Sequence, residues 1–260
     1  MTKLEKLKAD LRGLGELAVA FSGGADSSLL LRAAHDALGE RAIGITIRSP
    51  YMSSREIAEA VEFARAYGIR HEILELGVAE EIKNNPENRC YLCKKAVFSR
   101  LIERARELGF SRVADGTNRD DLGEHRPGLK AKEELGVLSP LINLTKSEIR
   151  ELSRELNLPT AEKPGYACLL TRLPHGREID LNELNLIEAA ENLLIASGYA
   201  NVRARCDRKN IKLQMPFSSM QNFLSDAKFK SIVRQLVMLG AADVTLDLKG
   251  LREDVLHERG

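Results

Sequence analysis

Four cysteines and one glycine pair are the residues from which chemistry can be argued. Cys90 and Cys93 stand as C-x-x-C within Asn88-Arg89-Cys90-Tyr91-Leu92-Cys93-Lys94-Lys95. Cys168 ends the string Lys163-Pro164-Gly165-Tyr166-Ala167-Cys168, and Cys206 ends Val202-Arg203-Ala204-Arg205-Cys206. In a cytosolic chain of this size, C-x-x-C points to metal or redox chemistry ahead of a structural disulfide. Strand alternation puts Val202, Ala204 and Cys206 on an apolar face with Arg203 and Arg205 opposite, so Cys206 reads as a buried small hydrophobe. Three thiols remain. A cubane iron–sulfur cluster held entirely by protein takes four thiolates. Three leave one iron open, and an open iron can bind a substrate sulfide. Zinc on the same three thiolates plus a water is the alternative, with His175 as a candidate fourth ligand.

The second stretch is Val19-Ala20-Phe21-Ser22-Gly23-Gly24-Ala25-Asp26-Ser27-Ser28. An apolar run enters a small polar turn, and Leu29, Leu30, Leu31 and Ala34 follow at helical spacing: strand, tight turn, helix start. Gly23 and Gly24 permit positive φ and close approach of another group. Ser22, Ser27, Ser28 and the first-turn amides can donate to phosphate at the positive end of the helix. The pattern G-x-x-x-x-G-K-S/T and its lysine are absent. An ordinary strand–helix turn has the same composition.

These residues need a scaffold. A chain of 260 residues allows one or two domains with a full core. Hydrophobic residues at 43% and charged residues at 30% fit a globular protein. A net charge of +1 supplies no global basic field, so nucleic acid is not an expected partner. The first residues lack the apolar core of a signal peptide, and no stretch reaches the roughly 18 apolar residues of a membrane span. The expectation is a cytoplasmic protein with no membrane partner. Helical patterns cover 3–14, 25–38, 54–67, 93–108 and 145–156, with Thr145 and Glu148 forming a capping box. Apolar runs before the Gly-Gly turn and over 42–47, 71–76 and 111–115 read as strands. The alternation predicts an α/β fold with a parallel sheet covered on both faces. Ligands in such sheets lie at the carboxyl ends of strands, where strand order reverses. The Gly-Gly turn, Ile47-Arg48 and Asp115-Gly116 all fall at such ends. After Leu158-Pro159 the pattern becomes irregular, which predicts a first domain over 1–158 and a smaller α+β domain over 159–260. The second has a helix from Asp180, with Glu183 in a capping box, to about 196. Paired strands over 199–207 and 211–215, a long helix over 219–239 and a strand over 243–248 follow.

Ser-Gly-Gly-Ala-Asp-Ser resembles the signature of the PP-loop ATP pyrophosphatases, which transfer AMP from ATP to a substrate oxygen and release pyrophosphate. The resemblance implies that Ser22, Gly23, Gly24 and Ser27 hold the leaving pyrophosphate and that Asp26 helps place Mg²⁺. Fixed donors and a metal suit a leaving group of such charge. The same string, followed in order by Asn-Arg-Cys-Tyr-Leu-Cys-Lys, Asp-Gly-Thr-Asn-Arg-Asp-Asp, Arg-Pro-Gly and Lys-Pro-Gly-Tyr-Ala-Cys-Leu-Leu-Thr-Arg, resembles the LarE family from about residue 18 to 205. These are ATP-dependent sulfur transferases that make the nickel-pincer nucleotide cofactor of lactate racemase. The resemblance implies adenylation of a carboxylate of pyridinium biscarboxylate mononucleotide and its conversion to a thiocarboxylate. One branch of the family sacrifices a single cysteine; another holds a 4Fe–4S cluster with three. Cys90, Cys93 and Cys168 resemble the second branch, in which a cluster with an open coordination site carries an extra sulfide.

By the same resemblance, Ile47 meets adenine, and Gly116 and Asn118 belong to a nucleotide loop over 115–118. Arg172, Arg203 and Arg205 resemble phosphate-binding side chains, and Glu191, with Glu188 near it, resembles an acidic position by the substrate. Two positions depart from the family: Gln214 stands where a Glu is expected, and His175 where an aromatic is. Implied partners are a small-molecule mononucleotide, a sulfide source and other copies of the chain, as a hexamer. A tRNA thiolase, an amide-forming ligase with structural zinc, and a nucleotide-sensing module are the rival readings.

Overall fold

The computed structural model describes residues 1–123 and 127–251. Arg126 of the Arg-Pro-Gly string and residues 252–260 of the expected second domain lie outside them. Two compact units are present, one from Met1 to Tyr166 and one from Ala167 onward. The division falls later than the Leu158-Pro159 join read from the sequence.

In the first unit, β1 (Leu17–Ala20), β2 (Ala42–Arg48), β3 (His71–Glu75) and β4 (Val113–Ala114) form a parallel sheet in the order β3-β2-β1-β4. Its helices are α1 (Lys3–Leu14), α2 (Ala25–Leu38), α3 (Ser54–Ala66), α4 (Arg89–Glu107), α5 (Pro127–Glu134) and α6 (Lys146–Glu155). Alternation along β1 feeds two cores. Leu17 and Val19 join apolar residues of α1, α2, α3 and α6. Ala18 joins Ile43 and Ile45 of β2 against Leu101 and Ala105 of α4. Burial on both faces is why these strands are apolar runs rather than alternating ones. β1 lies between β2 and β4, so the chain leaves it to one side and returns on the other. Its carboxyl end, which is the Gly-Gly turn, is therefore the point where strand order reverses.

The capping box at Thr145 forms as expected: Glu148 N donates to Thr145 Oγ1 at 3.2 Å and Thr145 N to Glu148 Oε2 at 2.7 Å. Three expectations change. The strand over 111–115 shrinks to Val113–Ala114, because Ser111 N donates to Glu16 Oε1 at 2.7 Å instead of entering the ladder. Helix α4 starts at Arg89, earlier than the apolar periodicity indicated, so both C-x-x-C thiols sit on it. Helix α5 carries little apolar periodicity and was not anticipated.

The second unit contains α7 (Leu181–Ala196), β5 (Arg203–Asp207), β6 (Asn210–Gln214), α8 (Phe217–Ser225), α9 (Phe229–Met238) and β7 (Asp243–Leu246). Strands β5 and β6 pair antiparallel through a turn in which Arg208 and Lys209 both have positive φ, 50° and 68°, the geometry a two-residue hairpin needs. Strand β7 runs parallel to β6. The single helix expected over 219–239 is two. Asp226 breaks it, accepting from Lys228 N at 2.7 Å and from Tyr199 Oη at 2.6 Å. Asp180 caps α7 by accepting from Asn182 N at 2.8 Å. Glu183 does not complete a box there; it is buried, pairs with Arg177 and accepts from Lys209 N at 3.3 Å. Among the described residues, no helix is long and apolar enough to cross a membrane.

Candidate functional site

The Gly-Gly turn is shaped by close packing. Gly23 has φ of 72°, and a Cβ on it would meet Ala60 Cβ of α3 at 3.0 Å. Gly24 starts α2 with no side-chain cap. A helix start of this kind presents amides and the positive end of the dipole to an anion. Ser22 and Ser27 fold the turn on itself, with their Oγ atoms 3.1 Å apart and Ser22 N donating to Ser27 Oγ at 3.3 Å. A Cβ on Gly116 would lie 2.9 Å from Ser27 N and 3.0 Å from Asp26 Cβ, so only glycine lets the loop after β4 rest on the first turn of α2.

That loop is rigid by construction. Asn118 is fully buried; its Oδ1 accepts from Asp120 N at 3.0 Å and Asp121 N at 3.3 Å, and its own N donates to Asp121 Oδ2 at 3.1 Å. Asp115 accepts from Thr117 Oγ1 at 2.8 Å, Ser139 Oγ at 3.0 Å and Lys132 Nζ. Burial alone would raise the Asp115 pKa, but the Lys132 charge and these hydrogen bonds hold it below the usual carboxylate value. Burial lowers the Lys132 pKa, against the pull of Asp115. Asp26 is pushed up, first by burial and then by the nearby Asp121 charge, with Lys146, Arg150 and Asn118 opposing. A buried carboxylate with a second carboxylate charge nearby, beside a helix start, is an arrangement that suits a hard divalent cation such as Mg²⁺.

Two lysines of this crevice were not anticipated. Lys132 sits on the unexpected α5. Lys163 donates from Nζ to Gly23 O at 2.8 Å and pairs with Glu59 at 2.6 Å. Arg150 holds the same segment, donating to Ala161 O at 2.8 Å and Lys163 O at 3.4 Å. The available signal for Lys163 was its place at the head of the Lys-Pro-Gly-Tyr-Ala-Cys string. Ile47 is half-buried at the end of β2, packed on the core beneath α4.

Cys90 is exposed and Cys93 half-buried on the first turns of α4, three residues apart and so neighbours on its surface. Tyr51 Oη lies 3.4 Å from Cys93 Sγ. Burial raises the Cys93 thiol pKa, against the Tyr51 hydrogen bond and the Lys94 charge. Cys168 belongs to the second unit, where it precedes a 3-10 turn over Leu169–Arg172. Among the described residues of either unit, no three His, Cys, Asp or Glu side chains form a metal-binding group. The Cys90–Cys93 pair, soft in ligand type and adjacent on one helix surface, fits part of an iron–sulfur or zinc centre.

In the second unit Arg172 is 3% exposed and bonded bidentately to Glu191, Nε to Oε1 at 2.8 Å and Nη2 to Oε2 at 3.2 Å. Its Nη1 donates to Thr171 Oγ1 at 2.7 Å and Ala167 O at 3.0 Å. Glu191 also accepts from Ala204 N at 3.0 Å. Arg172 thus ties the Cys168 segment to α7 and β5. Arg203 and Arg205 are half-buried on one face of β5, with Ala204 and Cys206 buried on the other. Arg205 donates to Thr171 O at 2.9 Å and to Gln214 Oε1 at 2.6 Å. Arg172, Glu191 and Arg205 are thereby gathered around Thr171. Glu188 is half-buried on α7, and His175 is exposed.

No protein-family model matches the chain. An uncharacterised protein of Synechocystis is 37% identical, covering 98% of this chain and 97% of its own length. The pyridinium-3,5-bisthiocarboxylic acid mononucleotide synthase of Lactiplantibacillus plantarum is 33% identical, over 99% of this chain and 94% of that protein. An uncharacterised protein of Methanocaldococcus jannaschii is 38% identical, over 81% of this chain and 82% of its own.

Proposed function

The chain belongs to the LarE family, whose member in Lactiplantibacillus plantarum is the synthase named above, and from that premise we propose how it uses ATP to insert sulfur into a pyridinium carboxylate mononucleotide. The first-turn amides of α2, with Ser22, Ser27, Gly23 and Gly24, receive the β and γ phosphates of ATP. Asp26, with Asp121 beside it, would hold Mg²⁺, which would offset the phosphate charge. Ile47 borders adenine, and the loop bearing Gly116 and Asn118 borders the nucleotide. A substrate carboxylate oxygen then bonds to the α phosphorus as the bond to the β-phosphate oxygen breaks, giving an acyl adenylate and pyrophosphate. Adenylation is required because a carboxylate resists nucleophiles until one oxygen joins a good leaving group. In the second half-reaction a carbon–sulfur bond forms and the carbon–oxygen bond to AMP breaks. Arg203 and Arg205 receive the substrate phosphate, and the Arg172–Glu191 pair holds the Cys168 segment in position. Cys90, Cys93 and Cys168 would hold an iron–sulfur cluster, which would supply the sulfide.

The observation that carries this reading is the contact between Gly116 and the start of α2, a cradle that a single Cβ would fill. The test is anaerobic purification followed by three assays: iron and labile sulfide content, pyrophosphate release from ATP with a pyridinium carboxylate mononucleotide, and sulfur incorporation. Alanine at Cys90, Cys93 or Cys168 is expected to remove iron and sulfur incorporation while pyrophosphate release continues. Stoichiometric zinc in place of iron, or sulfur incorporation that survives Cys168→Ala, would refute the cysteine assignment. Pyrophosphate release indifferent to the carboxylate would refute the adenylation.

A further inference from the structure

Two arginines of the second unit, buried Arg172 and half-buried Arg205, meet different kinds of partner. Arg172 faces both oxygens of a carboxylate, Glu191, so its charge is balanced at contact distance. Arg205 gives Nε to an amide oxygen, Gln214 Oε1, at 2.6 Å, and Nη1 to a carbonyl, Thr171 O, at 2.9 Å. Gln214 is 2% exposed and passes the contact on, its Nε2 donating to Asp247 Oδ2 at 2.8 Å. The amide has one workable orientation. A guanidinium only donates and an ionised carboxylate only accepts, so turning the amide would set donor against donor and acceptor against acceptor. Asp247 is itself fixed, accepting from Lys249 N at 3.1 Å, with Lys212 Nζ at 3.9 Å. Its carboxyl is held below the usual range, first by the Gln214 hydrogen bond.

We infer that Gln214 is a positioning residue for anion recognition: it aims the Arg205 guanidinium while keeping the Asp247 carboxylate one side chain away from it. The inference rests on the reading of Arg205 as a ligand of the substrate phosphate. A glutamate has the same length and accepts the same Arg205 hydrogen bond. It would, however, put a negative charge in contact with the guanidinium and a second one against Asp247. At such separations an added like charge near a phosphate weakens its binding on the order of tenfold in a partly solvated site. With glutamine at this position the Arg205 hydrogen bond is kept and the Asp247 charge stays one side chain removed from the guanidinium.

The experiment measures, by calorimetry on the full-length protein, the affinity for nicotinic acid mononucleotide, a pyridinium carboxylate with a phosphate, and for its riboside, which lacks the phosphate. Gln214→Glu is expected to weaken mononucleotide binding roughly tenfold and leave the riboside unchanged. Because that variant crowds two carboxylates and can misfold, Gln214→Glu/Asp247→Asn is measured beside it. The double variant has the native net charge and can form both hydrogen bonds; only the position of the negative charge differs. It is expected to stay roughly tenfold weaker for the mononucleotide. A double variant that binds like the native protein overturns the inference, as does equal weakening toward the riboside. Arg205→Ala separates the two levels. If it weakens mononucleotide binding while Gln214→Glu does not, the inference alone fails. If Arg205→Ala has no effect, or the native protein does not bind the mononucleotide, the phosphate reading of Arg205 fails and the inference with it.

Discussion

The crevice at the end of β1 and the arginine face of β5 both suit phosphate, and they are made of different material. The first relies on backbone: a helix start capped by no side chain, a turn at positive φ, and a glycine loop resting on Ser27 N. The second relies on long side chains aimed by neighbours, as Arg205 is by Gln214. Backbone donors cannot be retuned by changing their own side chains, but they are lost when a neighbouring atom intrudes. Guanidinium groups tolerate small shifts, and their strength depends on where the compensating charge sits. The two regions should therefore fail in different ways.

The largest effect is expected from the smallest change. Gly116→Ala adds one carbon that would sit 2.9 Å from Ser27 N, against backbone that has nowhere to move. Displacing donors that meet a developing charge costs about 10²–10³ in rate. Pyrophosphate release should fall by that factor, and relief of the clash should also lower the thermal midpoint. Arg205→Lys, in the other region, keeps the charge and loses the fork; mononucleotide binding should fall only about tenfold. If the two variants proved equally harmful in their own assays, the contrast between backbone and side-chain recognition would not hold.

A second test lies beneath the crevice. Asp115 and Lys132 form a buried pair that also fixes Thr117, next to the glycine that meets α2. Asp115→Asn keeps hydrogen bonds with Thr117 and Ser139 but leaves Lys132 without its counter-charge. Removing one partner of a buried pair is strongly destabilising, and with the hydrogen bonds retained the loss should be about 2 kcal/mol in urea unfolding. The pH dependence has a definite sign. The native Asp115 pKa is depressed, so its stabilisation is fully present above the unfolded value, about 3.9, and is lost as pH falls through the lower native value. Below about pH 4 the native protein should lose stability more steeply than Asp115→Asn. Parallel curves would place the pair's contribution elsewhere.

Local patterns carried much of the first unit into view, since burial on both faces leaves apolar runs that cannot be mistaken for solvated helix. The Thr145 box, the strands before Ser22 and over 42–47, and the alternation that buries Ala204 and Cys206 all follow from nearest-neighbour chemistry. What escaped were features whose cause lies far along the chain. Helix α4 takes in Cys90 and Cys93 although polar residues dominate its first turns. Asp226 breaks a helix through Tyr199, a residue 27 positions away. Lys163 reaches the Gly23 carbonyl across 140 positions. Glycine signalled the possibility of close approach at Gly116, but not that Ser27 N would be its partner.

The smallest expected effect concerns Cys206, and it sharpens the contrast between residues that face ligand and residues that only fill space. Its side chain is 2% exposed, on the apolar face of β5. Burial, with Glu183 nearby, pushes its thiol up to about 11, so it stays protonated at neutral pH and is a poor metal ligand or nucleophile. Cys206→Ala removes one buried heavy atom and should cost about 1 kcal/mol of stability, with iron content and sulfur incorporation unchanged. Cys90 is exposed, and Cys93 and Cys168 are half-buried, so all three should label ahead of Cys206 when the metal-free native protein meets iodoacetamide near pH 8. Mass spectrometry of the labelled protein reads the order directly. Early labelling of Cys206, or loss of iron in Cys206→Ala alone, would move a ligand onto β5 and leave one of the other three cysteines as filler.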